Sequence, residues 1–61
     1  MDLDTAPTEQ QTMQMKIIRS VARSLVMAIV NNTPACEEQE IAVSKVREAA
    51  VAAYAAIILE K

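Results

Sequence analysis

Glycine, histidine, tryptophan and phenylalanine are all absent from this chain of 61 residues, and proline occurs only twice. A chain without glycine and with a single aromatic residue lacks the turn and strand residues of an all-β fold. Without histidine it also lacks the commonest general base and metal ligand, and one cysteine alone offers neither a zinc site nor a Cys–His nucleophile. These absences predict an all-α protein that is not an enzyme, with no catalytic residue, no metal site and no cofactor.

Features of secreted, membrane and nucleic-acid-binding proteins are also scarce. The longest apolar run, "AVAAYAAIIL", is about half of what a bilayer requires, and the start, "MDLDTAPTEQQ", is too acidic and polar for a signal peptide. A net charge of −2 produces no global attraction for DNA. A single cysteine, Cys36, forms no internal disulfide, and we expect it to be an inert, partly buried thiol. The expected location is the cytosol, with neither a membrane nor DNA as partner.

What the chain does contain is a pattern of two helices. We predict a flexible leader over 1–8, with Thr8 as the N-cap of a first helix that covers about 10–30. The sequence "NNTP" (Asn31 to Pro34) then ends this helix, because asparagine tolerates the left-handed conformation and proline cannot continue a helix.

The second helix is predicted to cover about 34–60. Thr33 is its expected N-cap and Pro34 its first residue, and three glutamates near its start suit the positive end of the helix dipole: Glu37, Glu38 and Glu40. A loop this short requires neighbouring helices to run antiparallel, so we expect one helical-hairpin domain over 9–61.

Both helices carry an apolar stripe when their residues are placed at 100° intervals. The stripe predicted to pack on helix two comprises Ile18, Val21, Ala22, Leu25, Ala28 and Ile29. Its counterpart on helix two comprises Ala42, Val43, Val46, Ala49, Ala50, Ala53 and Ile57. We expect these two stripes to form the core of the hairpin.

The back of helix two is polar up to Glu48 and apolar beyond it, through Val51, Ala52, Ala55, Ile58 and Leu59. Hydrophobic residues make up 52% of the chain, and a helix that is apolar all round is buried on more than one side. Since a hairpin partner covers only one side, we expect another copy of the chain to cover the other. At least a dimer, forming a four-helix bundle, is therefore predicted.

The candidate site is a basic row on helix one, formed by Lys16, Arg19 and Arg23 within about 60° of one another. Thr12 and Ser20 flank the row with hydroxyl groups. Cations and hydroxyls spaced in this way can hold phosphate, although they also suit a solvated helix face.

Tyr54, the single aromatic residue, is a second candidate. At the edge of the predicted core stripe it can pack its ring and expose its hydroxyl, or stack its ring on a purine base.

Two stretches, "ARSLVMAI" (Ala22 to Ile29) and "IAVSKVREAAVAAYAAI" (Ile41 to Ile57), resemble the helical hairpin of small phage immune-evasion proteins. These are the anti-CBASS protein 2 family, together with the related hairpin of the Thoeris anti-defence protein 1. The resemblance covers about 15–60, and the residues of helix two that match the family pattern are Ile41, Ala42, Ser44, Lys45, Glu48, Ala49, Ala53, Ala55, Ala56 and Ile57.

The resemblance implies a sponge that sequesters cyclic di- or trinucleotide immune signals without cleaving them. It implies a homo-oligomer, typically a hexamer, with pockets between chains, in the cytoplasm of an infected bacterial host. Lys16, Arg19 and Arg23 would then contact phosphates. The family tryptophan corresponds to Ala52 and the asparagine two residues later to Tyr54, while the N-terminal aromatic residue has no counterpart.

Two other classes of function remain open. One is a small oligomeric helical bundle that docks a protein partner through its apolar back. The other is an RNA-binding four-helix dimer that uses the same basic row, which would bind RNA with a steep dependence on salt.

Overall fold

The computed structural model describes residues 6–59, and this part of the chain forms two helices, α1 (Glu9–Asn32) and α2 (Glu37–Leu59), with no strand. Two hydrogen bonds show that the helices run antiparallel. The Gln11 side chain donates to the Ile57 carbonyl at one end of the hairpin, and the Gln39 side chain donates to the Thr33 carbonyl at the other. The predicted all-α helical hairpin is confirmed. Most of the predicted leader and the end of helix two at residue 60 lie outside the described residues.

Helix α1 begins with the predicted cap. Thr8 is in extended conformation, and its Oγ1 accepts a hydrogen bond from the Gln11 backbone N–H at 3.0 Å. The Thr8 N–H in turn donates to Gln11 Oε1 at 2.9 Å, which completes a capping box. Glu9 occupies the first turn, where the helix dipole favours a negative charge. Local sequence therefore accounts for the start of this helix.

The end of α1 differs from the prediction. Asn31 and Asn32 are helical, and none of the described residues has a positive φ, so the expected left-handed asparagine is wrong. Thr33 ends the helix in extended conformation, with φ −133° and ψ 154°. The physical reason is Pro34, since the residue before a proline is pushed out of the helical region.

Two side chains make hydrogen bonds to carbonyls near the end of α1. Asn32 Nδ2 donates to the Ala28 carbonyl and Thr33 Oγ1 to the Ile29 carbonyl, each at 2.7 Å. Each bond reaches back four residues and ties a polar side chain at the end of the helix to the helix backbone.

Helix α2 begins three residues later than predicted, at Glu37. Thr33 does not cap it, because Thr33 lies four residues before Glu37, and its hydroxyl instead donates to the Ile29 carbonyl of α1. The N-cap position is held by Cys36, whose carbonyl accepts from the Glu40 N–H at 3.2 Å. In this loop position Cys36 is exposed, and the expectation of a partly buried thiol is wrong.

Packing between the helices is confined to a narrow seam. Its half-buried members recur every three or four residues, which is the pattern of a two-helix contact. On α1 they are Gln11, Thr12, Met15, Ile18, Ala22, Val26 and Ile29. On α2 they are Gln39, Ala42, Val43, Val46, Ala50, Ala53, Tyr54 and Ile57.

The predicted core of the hairpin was too wide. Val21 and Leu25 are 62% and 48% exposed, and Ala28 and Ala49 are also exposed. The reason is geometric, since one neighbouring helix covers a strip only one or two side chains wide. None of the described residues is buried.

In the single chain, α1 does not cover the apolar back of α2, where Val51 is 63% exposed and Leu59 is 70% exposed. Across residues 6–59, neither helix is long and apolar enough to cross a membrane.

Candidate functional site

Four of the sequence-predicted site residues lie around one groove of about 420 Å³. Thr12, Lys16 and Arg19 line it from α1 and Tyr54 lines it from α2, with Met15 beside them. We call this the polar groove. The structure therefore brings a hydroxyl, two cations and the single aromatic ring of the chain to one place.

Helical spacing and register together explain this arrangement. Thr12, Lys16 and Arg19 are related as i, i+4 and i+7, so they occupy one face of α1. The Gln11 side chain donates to the Ile57 carbonyl at 3.0 Å, which aligns the start of α1 with the end of α2. One turn back from Ile57, Tyr54 therefore lies beside the first turns of α1.

A second groove, of about 570 Å³, continues from the polar groove. Arg19 and Tyr54 line both grooves. Three arginines line it, Arg19, Arg23 and Arg47. Its apolar lining consists of Ala22, Val26, Val46, Ala50 and Val51. We call this the arginine groove.

Arg47 was missed by sequence reasoning, which considered the basic row on helix one alone. A signal for it exists, because Arg47, Val51 and Tyr54 are related as i, i+4 and i+7 and so share a face of α2. Ser20, which was predicted to flank the site, is exposed and lines neither groove.

Charge is segregated over the hairpin. Among the residues from 6 to 59, no carboxylate lines the polar groove or the arginine groove. Acidic side chains instead line a groove of about 320 Å³ near the loop, formed by Glu37, Glu40, Ile41, Ser44, Lys45 and Glu48. The face that carries the arginines is therefore the one that would attract an anion.

A third groove, almost entirely apolar, has a volume of about 480 Å³. We call this the apolar groove. It shares Ala22, Val46 and Ala50 with the arginine groove, because side chains in the seam of a two-helix layer are accessible from both sides. The remaining lining residues are Ile17, Ile18, Val21, Leu25, Lys45 and Ala49.

The chemistry that these grooves offer is recognition of anions and rings. Guanidinium and ammonium groups donate charge-assisted hydrogen bonds to phosphate, and the tyrosine ring offers a stacking surface. Within the described part of the chain, no cluster of three or more histidine, cysteine or acidic side chains is arranged to hold a metal ion.

Comparisons with protein-family models, with curated proteins and with solved structures found no match to this chain. The case for its function accordingly rests on the grooves and on the residues that line them.

Proposed function

We propose that this chain is a phage anti-defence protein that binds cyclic di- or trinucleotide immune signals of the CBASS type and sequesters them without cleaving them. The observation that carries the proposal is the polar groove, where Thr12, Lys16, Arg19 and Tyr54 lie together. Its volume, about 420 Å³, is within the range of roughly 300–1,000 Å³ that is usual for small-molecule sites. The site of action is the cytoplasm of the infected host.

Each residue of the site has a distinct part. Arg19 lines both grooves and is the main phosphate contact, with Lys16 on one side of it and Arg23 on the other. A hydrogen bond to a charged group contributes about 1.5–3 kcal/mol, and stacking of a base on an aromatic ring about 1–3 kcal/mol. Thr12 adds a hydroxyl donor, and Tyr54 adds the ring.

Sequestration also fits the residues that the chain has. With no histidine anywhere in the sequence, the usual general base for phosphodiester cleavage is missing. A sponge needs only to hold its ligand, and cations, hydroxyls and a ring are sufficient for that.

The protein acts as a homo-oligomer, and the family resemblance suggests a hexamer. Support comes from the described residues of the single chain, none of which is buried. Large apolar side chains stay exposed on it, among them Val21 at 62%, Val51 at 63% and Leu59 at 70%. Exposed apolar surface of this extent marks a site of association. A second copy of the chain is the partner that covers the apolar groove.

The test is isothermal titration of the purified protein with cyclic di-AMP, cyclic di-GMP and cyclic triadenylate, with the mass in solution measured by light scattering. We expect tight binding with fewer ligands than chains, and recovery of intact ligand by chromatography. Arg19→Glu should abolish binding and leave the oligomer assembled. Ser24→Glu is the control, since Ser24 is exposed and lines none of the grooves described above. Normal binding by Arg19→Glu would show that the assigned site is wrong.

A second candidate function, that of a protein-interaction module, is favoured by the apolar groove. Ile17, Val21 and Leu25 are exposed along it in the single chain. This function predicts no binding to any nucleotide of the panel, together with an apolar groove that still binds a hydrophobic dye in the purified assembly.

A further inference from the structure

The arginine groove extends the candidate site beyond the basic row of α1. We infer that Arg47, together with Arg23, binds a second phosphate of the same nucleotide, and that the apolar lining of this groove holds one of its bases. The inference rests on the proposed function of the polar groove, because it assigns the other part of the same ligand. It also adds a cation from the second helix to a basic row that the sequence placed on the first.

The first argument is the convergence of charge. Arg19, Arg23 and Arg47 line one groove from two different helices, and no described carboxylate joins them there. Arg19 and Arg23 are four residues apart on one helix face, and like charges at this spacing destabilise a helix unless an opposite charge neutralises them. A bound anion supplies that opposite charge, and guanidinium groups suit phosphate because they can donate two parallel hydrogen bonds.

The second argument is the extent of the charged surface. Lys16 and Arg23 are seven residues apart, which is about 10 Å along a helix. Arg19 lies between them and belongs to both grooves. Two anionic groups joined by a small organic frame can therefore be held at once, one near Lys16 and one between Arg23 and Arg47. A cyclic dinucleotide has two such phosphates, whereas a single inorganic phosphate would occupy only one end.

The third argument is the apolar lining of the arginine groove. Val26, Ala50 and Val51 are small or β-branched apolar residues, and Tyr54 closes the groove at the end shared with the polar groove. Apolar surface with a few polar groups at its edge is the usual composition of a small-molecule site. Such a lining suits a flat aromatic base better than it suits a hydrated ion, which would gain nothing from it.

The test compares the affinity of four proteins for the member of the cyclic nucleotide panel that binds most tightly: wild type, Arg47→Gln, Arg47→Lys and Glu38→Gln. Loss of a hydrogen bond to a charged group corresponds to a change in Kd of about tenfold to a hundredfold. We expect Arg47→Gln to show that loss. Arg47→Lys keeps the positive charge but cannot donate two parallel hydrogen bonds, so its Kd should lie between those of Arg47→Gln and wild type. Glu38→Gln changes the net charge by one unit at an exposed residue that lines none of the grooves, and it should change Kd by less than about twofold. Circular dichroism and light scattering check that each variant is folded and assembled.

The outcomes separate this inference from the proposed function. If Arg47→Gln binds as wild type does while Arg19→Glu does not bind, the proposed sequestering function is supported and the role of Arg47 is overturned. If wild type binds no member of the panel, the proposed function fails. Titration with AMP, followed by NMR of the arginine Nε–H groups, then tests whether the arginine groove binds a nucleotide phosphate. Shifts of Arg23 and Arg47 would then support a nucleotide phosphate site in the arginine groove, and their absence would overturn it.

Discussion

Gln11 is a single side chain that makes hydrogen bonds in two directions, and Gln11→Ala tests how much they contribute. Its Oε1 accepts from the Thr8 N–H at 2.9 Å in the capping box, and its Nε2 donates to the Ile57 carbonyl at 3.0 Å across the hairpin. The first bond is exposed and the second is part-buried. Alanine would remove both bonds and leave the last turn of α2 without this donor.

The expected loss follows from those environments. A net protein hydrogen bond contributes about 0.5–1.5 kcal/mol, with exposed bonds at the lower end and buried bonds at the upper end. About 0.5 kcal/mol for the cap and about 1 kcal/mol for the bond between helices together make about 1.5 kcal/mol. In a domain of this size, that loss lowers Tm by roughly 6–12 °C.

The measurement is thermal and urea unfolding followed by circular dichroism at 222 nm, at one chain concentration for all variants because association alters apparent stability. Gln10→Ala is the matched control, since it makes the same chemical change at the exposed neighbouring residue. Gln11→Glu keeps the acceptor for Thr8 but loses the donor to Ile57, and should lie between wild type and Gln11→Ala. If Gln11→Ala unfolds within about 0.5 kcal/mol of Gln10→Ala, the bond between the helices contributes nothing and the reasoning fails.

Two further predictions concern the loop and the apolar groove. Gln39 Nε2 donates to the Thr33 carbonyl at 3.2 Å and to Thr33 Oγ1 at 3.1 Å, so Gln39→Ala should lower the free energy of unfolding in urea by about 1 kcal/mol. A Gln39→Ala variant as stable as Gln14→Ala would contradict this prediction. Val21 is 62% exposed in the apolar groove, so Val21→Lys should weaken self-association at least about tenfold, as measured by light scattering. If Val21→Lys has the same mass as wild type and as the control Ser20→Lys across a dilution series, this groove is not the interface.

The secondary structure was largely predictable because it depends on local chemistry. Thr8 with Gln11 three residues later is a capping-box signal, and the structure forms both of its bonds. The loop was predicted less well, since Thr33 could cap α2 or close α1 on residue type alone. In the structure, Pro34 holds Thr33 in extended conformation and the Thr33 hydroxyl donates to the Ile29 carbonyl. Helix α2 begins only at Glu37.

The candidate site was predictable on one helix and not across two. Spacing alone placed Lys16, Arg19 and Arg23 on one face of α1. It could not show that Arg47 would join them, because a helical wheel contains no information about which face of one helix turns toward the other. The same limit explains Val21, which belongs to the apolar stripe of α1 and yet lies outside the seam.

By itself, the sequence determined that this chain forms two helices, where the first of them begins, and which residues share a face of each helix. These properties follow from backbone preferences, capping bonds and the 3.6-residue period, all of which act within a few residues. Only the tertiary structure decided which part of each apolar stripe is covered, and that Tyr54 and Arg47 meet the basic row. Those outcomes depend on the rotation and register of one helix against the other, which side-chain packing along the seam and the bond from Gln11 to Ile57 set together.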